Sequence, residues 1–278
     1  MGWCGISRIA PEYVAARRVL LDALTALHGH AESLILVGAQ AVYHHTGDAD
    51  LTVPIMTSDA DLAIDVTDLA EVPEIGEVLR KAGFAPGDNP GHWVALNQVA
   101  IDLMVVPHQS GRTRNSARAA RLATHDKHTA RIVRGLEPAL VDNARAVLAS
   151  LDSSDSRLVE VRVSGPAALL TAKAIKISER LGQADRRPHR VKQKDALDAF
   201  RLFQAIDTSD LVEGFRSHCR EEHAAAASVE ALDLYRLHAT SPQGTFAVLA
   251  TQAAQGDPTV APAFAALASQ LLAALRRG

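Results

Sequence analysis

A chain of 278 residues, 47% hydrophobic and 22% charged, has globular composition and is long enough for two ordinary domains. A formal net charge of −3 argues against a general polyanion binder, and two cysteines, Cys4 and Cys219, argue against a disulfide scaffold or a zinc site. No run approaches the ~20 apolar residues that span a bilayer, and Met1 to Ala10 lacks a basic region followed by an apolar stretch. No signal peptide and no membrane association are therefore expected, and a cytoplasmic protein is.

In chain order, residues 11–29 read as an amphipathic helix, with Val14, Leu20, Leu21, Leu24 and Leu27 at helical spacings. Leu34 to Val37 reads as a short buried strand that ends at Gly38, with a short helix over Ala39 to His45 and a loop over 46–56. Asp59 to Val66 is expected to be the second strand. A helix over Pro73 to Ala82 would carry proline in its first turn and stop at Gly83. Trp93 to Leu96 and Val99 to Val106, separated by Asn97-Gln98, read as a β-hairpin. Strands mixed with helices over this stretch predict an α/β or α+β domain.

The loop-like composition of residues 150–156 (Ser-Leu-Asp-Ser-Ser-Asp-Ser) marks the expected boundary between a first domain, 1–150, and a helical second domain, 157–278. In the second, Ser164 is the expected N-cap and Pro166 the first turn of a helix reaching Leu181. Another helix is expected over Lys192 to Ile206. Ala- and Leu-rich helices follow to the end, broken by Ser241-Pro242 and Asp257-Pro258.

Several residues in this frame are suited to phosphate chemistry. Gly38 lies where a buried strand turns into a helix, whose N-terminus offers free backbone N–H groups to a phosphate. Asp59 and Asp61, two apart on a strand, project from one face. Carboxylates held that close repel, and a divalent cation relieves the repulsion. Asp102 lies within the apolar run Val99 to Val106, where an unpaired carboxylate is costly. Two Mg²⁺ ions on Asp59, Asp61 and Asp102, with Asp102 as general base, would suit a nucleoside triphosphate and an attacking hydroxyl.

Lys173, Lys176 and Arg180 share one face of the 164–182 helix, and Asp195 and Asp198 share a face of the next. Basic residues cluster at 112–134, where Arg112, Arg114, Arg118, Arg121, Lys127, Arg131 and Arg134 face one acid, Asp126. A second cluster lies at 173–194. Local basic patches in a mildly acidic protein suit phosphate recognition better than bulk coating of nucleic acid. Solvated helix and strand surfaces are the plainer alternative.

The order of these features resembles the nucleotidyltransferase superfamily of polymerase-β-like fold, and in particular the AbiEii-type toxins that include the MenT group. Gly38 matches the strand-Gly-helix element, Asp59 and Asp61 the acidic pair, and Asp102 the third acid. Lys173, Arg180, Lys194, Asp195 and Asp198 match the C-terminal set. The resemblance runs from about residue 34 to 206, with Gly38-Ala39 standing where the family usually has Gly-Gly or Gly-Ser.

It implies an α+β fold, in which a mixed β-sheet with flanking helices precedes a helical domain that completes the nucleotide site. It also implies Mg²⁺-dependent transfer of a nucleoside monophosphate from an NTP to a hydroxyl. Asp59, Asp61, Asp102, Lys173 and Asp195 would be catalytic, and Gly38, Ser58, Lys173, Lys176, Arg180 and Lys194 would bind nucleotide. By the same resemblance the acceptor is a tRNA 3′ end, and the role that of a toxin paired with a protein antitoxin. Two other readings stand beside it: a catalytically silent relative that binds RNA or a partner, favoured by Ala39, and transfer to a small molecule such as an aminoglycoside.

Overall fold

The computed structural model describes residues 9–47, 57–113, 117–186, 189 and 191–277. Cys4, Arg114 and most of the expected 46–56 loop lie outside the described residues. In chain order the first elements are α1 (Pro11–Ala26), β1 (Leu34–Val37), α2 (Gly38–Thr46), β2 (Asp59–Ile64), α3 (Ile75–Lys81), β3 (Ala85–Pro86), β4 (His92–Val94), β5 (Ala100–Val105), β6 (Arg131–Ile132), β7 (Asn143–Ala149) and β8 (Leu158–Ser164). Helices follow: α4 (Pro166–Leu181), α5 (Gln193–Ala205), α6 (Thr208–His218), α7 (Glu222–His238), α8 (Thr245–Ala253) and α9 (Val260–Arg276).

The expected α+β class is what the protein has. One mixed sheet is ordered β3-β4-β5-β2-β1-β8-β7, with β6 also pairing to β5. β1 is apolar at every position and wholly buried, as suits an inner strand covered on both faces. It runs antiparallel to β2 and parallel to β8, while β2 runs parallel to β5.

The two-residue period of the strands divides the sheet chemically. Ala60, Leu62 and Ile64 of β2, with Ile101, Leu103 and Val105 of β5, join Leu20 and Leu24 of α1 in the main core. Asp59, Asp61 and Ala63 point to the opposite face, as do Asp102 and Met104. There a smaller apolar cluster of Ile35, Val37, Ala63, Met104, Leu136 and Ala168 leaves the carboxylates beyond its edge.

The expected hairpin forms between β4 and β5, with Asn97 Oδ1 accepting from the Val99 amide in its turn. Three expectations move. The helix expected from Pro73 begins at Ile75, because Glu74 is its N-cap and accepts from the amides of Gly76 and Glu77. Ser164 closes β8 instead of capping α4; Gly165 is the N-cap. The carboxylate of Asp142 fills the space beside Gly165 where a Cβ would stand, and accepts from the Ala168 amide.

The third concerns residues 150–156, which form the turn of the β7–β8 hairpin, with Asp152 Oδ1 accepting from the Ser154 amide. The sheet therefore runs past residue 150 to Ser164. The main apolar core continues from Leu20 through Leu103 to Leu170, Phe200 and Phe264. No helix among the described residues is long and apolar enough to cross a membrane.

Candidate active site

The site is built outward from the β1–α2 junction. Val37 lies opposite Asp61, and Asp61 lies opposite Asp102, so one row crosses three adjacent strands. Gly38 follows Val37 with φ +68°, a conformation that disfavours any residue with a Cβ. A Cβ here would also run into the Asp61 carboxylate. Glycine thus serves two ends at once: it turns the strand into α2 and leaves room for Asp61. No side chain caps the first turn of α2, so its leading amides are left without a capping partner.

Asp59 stands exposed at the start of β2, and Thr57 Oγ1 donates to its Oδ1 at 2.8 Å. Gln40 holds this end of the strand. Its amide donates to the Asp59 carbonyl, while its own Oε1 accepts from Arg17 Nε at 2.9 Å. Ser58 is exposed beside Asp59. Asp61 is half-buried, and its pKa is raised, first by desolvation. Lys176 opposes that rise, and the charges of Asp59 and Asp102 add to it. Asp61 therefore feels the charges of both other carboxylates.

Asp102 is not the unpaired carboxylate that its apolar surroundings suggest. His92 Nδ1 lies 2.7 Å from its Oδ1, and Arg131 donates to its Oδ2 at 2.8 Å. Among the described residues, no three His, Cys, Asp or Glu side chains are gathered into a ready-made metal cluster. The donor set still fits one Mg²⁺, which is commonly bound by one or two carboxylates together with substrate phosphates. Asp59 and Asp61 would supply those carboxylates.

Facing the sheet is α4. Ala168 packs on the smaller apolar cluster, and Lys173, Lys176 and Arg180 line a cleft of about 1450 Å³ that also takes in Gly38, Asp61 and Arg131. The three cations differ in their surroundings. Lys173 is buried, with its ammonium 3.0 Å from Asp195 and 2.6 Å from Asp198. Lys176 lies 3.3 Å from Asp195 and is 41% exposed, and Arg180 also donates to Asp195. Asp195, at the start of α5, thus gathers the basic face of α4 into one network. Lys194, just before it, is half-buried with its Nζ 5.7 Å from the Tyr43 ring centroid; burial lowers its pKa and the Asp59 charge works against that.

Arg112, Arg118, Arg134 and Arg186 also line the cleft, so both basic clusters of the sequence reach it. Sequence reasoning missed His92, Gln40 and Arg17 altogether. It counted Arg131 only as one of a basic run, although its place in a two-residue strand beside the third acid assigns it a partner.

The chain matches a nucleotidyltransferase family over residues 18–223. Comparison with curated proteins and with solved structures gives no match. With three quarters of its length in that match, the chain belongs to the nucleotidyltransferase family. Gly38→Ala is then expected to cost about 1–3 kcal/mol of stability through backbone strain. By displacing Asp61 it should also slow nucleotide transfer about 10²-fold. Thermal melts and initial rates on the same preparation check both effects.

Proposed function

We propose that this nucleotidyltransferase moves a nucleoside monophosphate from an NTP onto a hydroxyl of RNA, with a tRNA 3′ end as acceptor, and acts as the toxin of a toxin-antitoxin pair. The observation that carries the catalytic part is the row Val37/Gly38–Asp61–Asp102, whose Val37, Gly38 and Asp61 line a basic cleft. Asp59 and Asp61 would hold Mg²⁺, which when bound would neutralise charge on the transferring phosphorus. The leading amides of α2 and the side chains of Lys176 and Arg180 receive the phosphates. Ser58 and Lys194 flank the nucleotide at the Asp59 end. Lys173 and Asp195 fix the basic face of α4 in place.

The acceptor reading draws on the charge of the cleft. Arg112, Arg118, Arg134 and Arg186 line it in addition to the cations of α4, and a surface with that many cations suits a phosphodiester chain. It disfavours a cationic small molecule such as an aminoglycoside. Incubation with each labelled NTP, Mg²⁺ and total tRNA tests the reading directly. Label is expected on tRNA from one NTP in preference to the others, and induced expression is expected to arrest growth unless Asp61 is replaced by Ala. Label on no RNA, together with a growth effect that Asp61→Ala leaves unchanged, would point to a silent binding protein and sink the proposal.

A further inference from the structure

Both oxygens of the third carboxylate are already engaged, one by His92 and one by Arg131. These are built contacts. The Asp102 side chain is only 16% exposed, and the backbone delivers each partner. His92 stands directly opposite Asp102 in the β4–β5 register. Arg131 stands opposite Met104 in the β5–β6 register, two residues further along the same face.

The two flanking strands meet at Gly91, whose φ is +75°. The place where its Cβ would stand is filled by the Leu103 carbonyl oxygen and the Arg131 amide nitrogen. Glycine at this point lets the chain just ahead of His92 pass against Arg131, so both donors converge on one carboxylate. Arg131 also lines the same cleft as Asp61, and its Nε is buried without a partner.

We propose that the Arg131 guanidinium stands in for a second metal ion, so that this site works with one divalent cation on Asp59 and Asp61. This inference rests on the nucleotidyltransferase reading above. An ion bridging Asp61 and Asp102 would have to displace a guanidinium and an imidazole, or sit against a fixed positive charge. The guanidinium never loses that charge, and it carries five donors in one plane. Its Nη2 is taken by Asp102 and Met104 and its Nε is buried, which leaves the Nη1 donors for a phosphate oxygen of a bound triphosphate. The third carboxylate thereby becomes a positioning residue for an arginine.

The test counts ions. The full-length chain is loaded with Mn²⁺ and the α,β-methylene analogues of ATP, GTP, CTP and UTP in turn, and native mass spectrometry reads Mn²⁺ per nucleotide-bound chain. One ion is expected for the wild-type chain, for Arg131→Lys and for Asp102→Asn. Two are expected for Arg131→Gln, where Oδ2 of Asp102 is freed and the fixed positive charge beside it is gone. Two ions on the wild-type chain overturn the proposal, as does a single ion on both wild type and Arg131→Gln. Should Arg131→Gln not fold, the wild-type and Asp102→Asn counts still decide it, since loss of an ion with Asp102→Asn makes Asp102 a ligand. Failure of every analogue to bring any Mn²⁺ overturns the cation-dependent function itself, and this inference falls with it.

Discussion

Asp61→Asn should reduce nucleotide transfer by about 10³-fold or more while leaving the metal-free protein at least as stable as the wild type. The activity loss follows from removing one of the two carboxylates proposed to carry the cation, where several kcal/mol of charge stabilisation would be concentrated. The stability effect follows from the surroundings of Asp61. Desolvation and the charges of Asp59 and Asp102 raise its pKa, with Lys176 the chief opposing influence. A carboxylate whose pKa is raised in the fold favours the folded state when protonated, and that advantage is lost as pH rises through the raised value.

An asparagine does not ionise, so the variant escapes the loss. In metal-free buffer its melting temperature should match the wild type in acid and exceed it increasingly towards neutral pH. Added Mg²⁺ with NTP should raise the wild-type melting temperature by mass action and have a much smaller effect on the variant. Near-wild-type transfer by Asp61→Asn would remove Asp61 from the catalytic centre.

The features legible in the sequence are those set by local rules. The apolar run Leu34–Val37 announces a buried strand, and the period of two places Asp59 and Asp61 on one face whatever surrounds them. Gly38 is readable because so few residues can turn a buried strand into a helix at positive φ. Pairings across the fold are not local and were not legible. Asp102 meets His92 at a separation of 10 residues and Arg131 at 29, and only the order β4-β5 with β6 alongside brings those side chains together.

The same limit applies to Lys173. Helical spacing places it on a face with Lys176 and Arg180, but the depth of that face in the fold depends on where α5 packs. Residues 150–156 were ambiguous for a different reason: Ser and Asp suit a hairpin turn as well as a linker, because their side chains satisfy turn amides in either setting.

Lys173→Ala is expected to act first on stability, with a cost of about 3–5 kcal/mol, the usual result of stripping the partner from a buried charge. Lys173 is 4% exposed, and its ammonium is hydrogen-bonded to both Asp195 and Asp198. Lys176 and Arg180 still reach Asp195 in the variant, so the orphaned charge is chiefly that of Asp198. Removing both charges, as Lys173→Met with Asp198→Asn, should cost much less than the single change.

The pH dependence carries the same signature. Burial works to lower the Lys173 pKa, but Asp198 and Asp195 outweigh it and hold it well above the usual lysine range. Burial works to raise the Asp195 pKa, and Lys173, Lys176 and Arg180 hold it well below the usual carboxylate range. The Asp195 contribution is therefore complete above the unfolded carboxylate pKa of about 4 and lost only as pH falls through the depressed value. That of Lys173 is complete below about 10.4 and lost only as pH rises through the raised one. The stability gap between wild type and Lys173→Ala should be widest and flat between those limits and shrink in strong acid, as pH falls through the depressed Asp195 value. Lys176→Ala provides the contrast: its side chain is 41% exposed and its charge opposes the raised pKa of Asp61. It should leave the melting temperature of the free protein within about 2 °C of wild type, as for surface changes generally, while diminishing the rise that NTP and Mg²⁺ produce. If Lys173→Ala instead keeps wild-type stability and loses only the nucleotide-induced rise, its ammonium belongs to the substrate and not to the α4–α5 network.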